Sequence, residues 1–165
     1  EGLHMNVRLA LVVAVVVLTS ACAPKKIPGT NIDDTDDTRG IVDLIESYRV
    51  AFEKKDVASM KALLDETFRD DGGTNTPDDD LEYQNFNAKF SEMMGNFDNP
   101  RLELSVRKID FDDDHMKARA VYTWNSTFRM PKLTPRPFND GEIKQMSFKR
   151  LDKKKKGTWR IVSGI

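Results

Sequence analysis

The sequence predicts an α+β domain in which three helices come first and a curved antiparallel sheet then packs against them. Up to Phe97 the apolar residues recur at spacings of three and four, the period of a helix face. Beyond Leu102 they alternate, the period of a strand with one side buried and one side wet. The curvature comes from a slip in that alternation. Leu102, Leu104 and Val106 keep one phase and Ile109 and Phe111 the other, so a bulge near Arg107-Lys108 is expected to bend the strand.

Helix one is expected from about Arg39 to Lys54, with Ile41, Leu44, Ile45, Tyr48 and Phe52 on one face. Asp36, Asp37 and Thr38 precede it and would cap it and oppose its dipole. Asp56 caps a shorter second helix whose Val57, Met60, Leu63 and Leu64 face inward. Thr67–Gly73 reads as a short strand entering a turn. Asp79 and Glu82 stand in capping-box relation before a third helix with the stripe Tyr83, Phe86, Phe90, Met93 and Phe97, and Gly95 lies where it would stop. Asp112-Asp113-Asp114 make a tight turn into a long strand whose buried face is Met116, Ala118, Ala120, Tyr122, Trp124 and Phe128. A loop with Pro131, Pro135 and Pro137 follows, then a strand over Glu142–Leu151, a hairpin tip at Asp152–Gly157 and a last strand at Thr158–Gly164.

Ahead of this body lies a different kind of sequence. Arg8 precedes Leu9–Leu18, ten residues without a polar side-chain atom, and Thr19-Ser20-Ala21 lead to Cys22, the single cysteine. The run is too short for a membrane span, which needs roughly 20 apolar residues. A charged start, a short apolar run and a small-residue exit make a secretory signal peptide. Residues 1–21 are therefore assigned to that signal, with Glu1-Gly2-Leu3-His4 upstream of a natural start at Met5. Residues 22–38 carry two prolines, four aspartates and only Ile27 and Ile32 as sizeable apolar groups, and read as a flexible tether. Residues 39–165 form the folded domain. The acidic run Asn31–Asp37 does not fit a helix-loop-helix calcium site. The required Gly and Glu positions hold Asp36 and Val42 counted from Asn31, and Arg39 and Ile45 counted from Asp34.

With 165 residues and a net charge of −1, the chain is one domain's worth and lacks the basic excess of a nucleic-acid binder. A lone cysteine in an exported chain has no disulfide partner.

Two resemblances add to this reading. Leu18-Thr19-Ser20-Ala21-Cys22 resembles the lipobox of bacterial lipoproteins, with Thr19 where Leu, Val or Ile is usual. The resemblance implies cleavage before Cys22 and acylation of its thiol and new amine, so that Cys22 is the membrane contact. Ala23 in place of an aspartate implies the outer membrane. The order of elements, the stretch Tyr48–Asp56 and the closing Trp159-Arg160-Ile161 resemble the cone-shaped nuclear-transport-factor-2-like superfamily, in its SnoaL-like branch. Ile27-Pro28-Gly29-Thr30, Asp70–Thr74 and Ser163-Gly164 resemble a group of uncharacterised bacterial lipoproteins. The superfamily resemblance implies a pocket between helices and concave sheet, here lined by Tyr48, Tyr83, Phe86, Tyr122, Trp124 and Trp159. Those aromatics would otherwise simply fill the core.

Catalysis is thinly supported. His115 belongs to a solvated turn, no cluster has metal spacing, and no cofactor motif is present. Asp70 and Asp71 are the acids nearest a cone mouth, and as strand neighbours only one can point inward. The expected function is a lipid-anchored, non-catalytic envelope protein binding a protein partner or small ligand. The alternative is a small-molecule isomerase or hydrolase, or an apolar-ligand carrier, using the aromatic cone. The loop Arg129–Phe138, apolar residues among basic ones, is the expected protein contact. Lys153–Lys156 read as a solvated tip that keeps an edge soluble, with contact to anionic lipid or lipopolysaccharide as the alternative. The oligomeric state is left open.

Overall fold

A computed structural model describes residues 24–72, 80–132 and 134–165. The signal peptide, Cys22, Asp79 and Leu133 lie outside the described residues.

Helix α1 spans Asp36–Glu53, three residues longer at its start than expected. Thr35 is the N-cap: its hydroxyl accepts the Thr38 N–H at 3.1 Å and the Thr38 hydroxyl accepts the Thr35 N–H at 2.9 Å. Asp36 and Asp37 sit in the first turn, where negative charge favours the helix. Ile41, Leu44, Ile45, Tyr48, Ala51 and Phe52 are its buried stripe. Helix α2, Val57–Ala62, starts at Asp56, which accepts the Ser59 N–H at 3.0 Å. Two short strands follow, β1 at Arg69–Asp70 and β2 at Leu81–Glu82, paired antiparallel. Glu82 is thus in a strand rather than a capping box. Helix α3, Phe86–Asn96, begins at Asn85 without a side-chain cap bond and buries Phe86, Phe90 and Met94.

The main sheet has the order β3-β4-β5-β6, antiparallel throughout, from β3 (Asp98–Phe111), β4 (Lys117–Met130), β5 (Thr134–Arg150) and β6 (Trp159–Ser163). The bulge falls where the phase slip puts it: Val106 faces Tyr122 and Lys108 faces Val121, leaving Arg107 unmatched. One sheet face carries Leu102, Ala118, Ala120, Tyr122, Trp124, Met146 and Phe148 into a core shared with α1 and α3.

Two expectations are corrected. The first is the tether: residues 25–34 turn back on themselves through Gly29, with Lys26 bridged to Asp33. Ile27 N–H donates to Ile32 O at 2.9 Å, and Ile32 is 8% exposed. Ile32 docks the hairpin, and the Thr38 hydroxyl, which donates to Asp33 O, and Arg39, which pairs with Asp34, tie it to the first turn of α1. The second is the long loop. Phe128 pairs with Phe138 and Met130 with Thr134, so the connection is only a turn and β5 starts eight residues earlier than expected. Pro135 and Pro137 are two apart, so both missing N–H groups face one side. Strands tolerate proline where no neighbour needs the donor, and β6 reaches only Ser147–Arg150 of β5.

Candidate functional site

The concave face of the sheet is the place to look for chemistry, and most of it is filled by aromatic rings. Tyr48 lies 6.2 Å from Trp124, and Phe52 meets Trp124 edge-on at 5.5 Å. Phe86 stacks on Phe90 at 4.8 Å and takes Phe68 edge-on at 5.9 Å. Of the six expected pocket residues, Tyr48, Phe86, Tyr122, Trp124 and Trp159 are all buried and belong to the core. Tyr83 is half-buried, with the Lys61 ammonium 4.5 Å over its ring. Trp159 makes its ring contacts elsewhere, with Phe111 and with the Arg150 guanidinium. Phe52, Phe68 and Phe90 share the aromatic packing and were not among the expected six, although two of them stand on the predicted helical stripes.

Asp70 is the acid of the predicted pair that faces inward, and Asp71 is exposed. Its carboxylate is already engaged. Oδ2 accepts the N–H groups of Gly164 and Ile165, each at 2.8 Å, and Oδ1 accepts that of Gly72 at 3.2 Å. Nearby, Tyr122 donates its hydroxyl to Gly164 O at 2.8 Å. Burial pushes the Tyr122 phenol well up, and the charge of Asp70 adds to that. Burial does the same to Tyr48, with Tyr122 and Asp70 contributing. Both phenols stay protonated hydrogen-bond donors.

At the other end of the molecule a cleft of about 760 Å³ opens between the start of α1 and the bulged end of β3, floored by Ile32, Ile109 and Phe111. His115 stands there on its turn at φ +55°, stacked on Phe111 at 5.1 Å. Arg150, 6% exposed, holds Asp37 at 2.5 Å between Nη2 and Oδ2. Asp37 also accepts the Gly157 N–H at 2.9 Å. Burial opposes its charge, but the Gly157 N–H and the Arg150 guanidinium outweigh that and hold its carboxyl below the usual value. Arg150 was invisible in the sequence because its partner lies a whole domain away. Among the described residues no three His, Cys, Asp or Glu side chains gather as a metal ion would require.

The third feature is the β4–β5 tip. Phe97, Phe128 and Phe138 form a stack, with ring centroids 4.3 and 5.7 Å apart, and Phe138 at its open end is 39% exposed. Asn99, Arg101, Thr127, Phe128, Arg129 and Pro137 border a cleft of about 340 Å³ beside it.

No family model matches the chain, and neither does any curated protein. Solved structures do. A proposed scytalone dehydratase from Novosphingobium aromaticivorans superposes with a TM-score of 0.60 at 15% identity, over 77% of this chain and 80% of that one. A nuclear-transport-factor-2-like superfamily protein from Salmonella enterica gives 0.61 at 17%, over 76% and 86%. This chain has the nuclear-transport-factor-2-like fold. A proposed dehydratase of the same fold family from Streptomyces avermitilis gives 0.56 at 14% identity, over 78% and 93%. Identities this low carry the fold and leave the chemistry to the residues themselves.

Proposed function

We propose that this nuclear-transport-factor-2-like domain is a lipid-anchored, non-catalytic binding module of the bacterial envelope, held at the outer membrane through Cys22 and meeting its partner with the β4–β5 tip. The observation that carries the partner surface is the aromatic stack ending in Phe138. It is continuous with the core through Phe97 yet open to solvent. Partly exposed aromatics on a rigid strand pair are the kind of anchor that dominates interfaces. Arg101 and Arg129 border the cleft beside Phe128 and suit an acidic rim on the partner. The non-catalytic reading is supported by Asp70, whose acceptor capacity goes to backbone N–H groups.

Mass spectrometry of the protein from native membranes tests the anchor: a mature form starting at Cys22 and carrying acyl chains is expected. An intact N-terminus or an unmodified thiol contradicts it.

A second reading, an enzyme or carrier using the cone, draws support from the dehydratase names of two structural neighbours and from Asp70, Tyr48 and Tyr122 sharing one interior. It requires that the interior be opened.

A further inference from the structure

The end of β6 does something a strand end need not do. Ser163 still pairs with Ser147, but Gly164 then takes φ +86° and turns into the cone. No other residue fits there, since a Cβ on Gly164 would stand 1.9 Å from Gln145 O. The peptide unit joining Gly164 to Ile165 spans two interior groups. Its N–H goes to Asp70 Oδ2 and its carbonyl accepts from the Tyr122 hydroxyl, both at 2.8 Å. The chain holds no cis peptide among the described residues, so this donor and acceptor point in opposite directions, as in any trans amide. The Gly164 N–H adds a second donor to the same carboxylate oxygen. Tyr48 packs 6.2 Å from Trp124, the inward-facing residue of β4 next to Tyr122.

We infer that Ser163–Ile165 is an intrachain stopper seated in a ligand site made by Asp70, Tyr122 and Tyr48, and that the site takes a small neutral secondary amide. The inference rests on the second reading above and is independent of the contact at Phe138. A secondary carboxamide reproduces what the stopper offers: a donor for the carboxylate on one side and an acceptor for the phenol on the other. A half-buried carboxylate that gives up two N–H donors gains from replacing them, so a ligand that supplies a donor competes with the segment for Asp70.

Amide hydrogen exchange on the full chain tests this, with N-methylacetamide as the probe. Ile161, which donates to Leu63 O at 3.0 Å, marks the core. The Gly164 and Ile165 amides should exchange faster than Ile161. Tyr122→Phe should speed them by about fivefold, the loss of one hydrogen bond, and leave Ile161 alone. N-methylacetamide should accelerate them saturably in the native sequence and not in Asp70→Asn. Equal protection of all three amides in both proteins would make the segment an ordinary end of the sheet and overturn the inference. Acceleration of every amide without saturation would also overturn it. Fast exchange indifferent to the probe would overturn the ligand assignment. None of these outcomes touches the partner contact at Phe138.

Discussion

At the scale of single residues, the Asp37–Arg150 pair makes the sharpest claim. It joins the first turn of α1 to the end of β5, and Arg150 has almost no exposure to water. Removing the carboxylate strands a buried guanidinium, so Asp37→Ala should destabilise the fold by about 3 kcal/mol, read from urea unfolding. The same pair sets an acid limit. The folded Asp37 carboxyl sits below its unfolded value, so the unfolded chain binds the extra proton in acid. Its contribution is therefore complete above the unfolded value of about 3.9 and lost as pH falls further. Asp65, buried but held down by Thr67 and Lys149, acts in the same direction. The urea midpoint should fall below about pH 4, and less steeply in Asp37→Asn. Gly40 supplies a second test. A Cβ there would lie 2.5 Å from Gly157 O, backbone that cannot easily yield. Gly40→Ala should cost about 1–3 kcal/mol despite the better helix propensity of alanine, because it pushes the β5–β6 hairpin off α1.

At the scale of elements, legibility depended on how local the deciding interaction was. The α1 and α2 stripes, the Asp56 cap and the β3 bulge all read correctly, since each is set by residues within a few positions of one another. The start of α1 was missed because Thr35 and Thr38 cap each other without the acidic partner of a capping box. The β4–β5 connection was read as a loop because two prolines usually end a strand. Their missing donors matter only where a neighbouring strand needs them, and that is a fact of sheet order. The bulge itself can be tested. Deleting Arg107, the residue left without a partner, should remove the bend while keeping Lys108 opposite Val121 and every later pair of β3 in register. Ile109 and Phe111 would stay on the buried face, but a straightened β3 would fit the helices less well, so the unfolding midpoint should fall without a gain in dye binding.

For the whole molecule, the fold was legible and the state of its interior was not. The ring-forming residues could be assigned to one face of each element. Whether they leave a cavity depends on how rings from α1, α3 and β4 interlock, and no single stretch encodes that. The candidate acids behaved similarly. Strand alternation said that one of Asp70 and Asp71 faces in, but not that Gly164 and Ile165 would arrive to meet it. A filled concave face and an open aromatic tip together narrow the contact expected on Arg129–Phe138 to Phe138 at the end of the ring stack. The most direct measurement is site-specific photocrosslinking in intact cells, with a benzophenone side chain at position 138 and, as a control, at the more exposed Ile143 on the other face of β5. The account predicts one discrete envelope adduct from position 138 and none from 143, lost when Phe128 is also changed to Ala. No adduct at 138, or the same adducts from both positions, would contradict it.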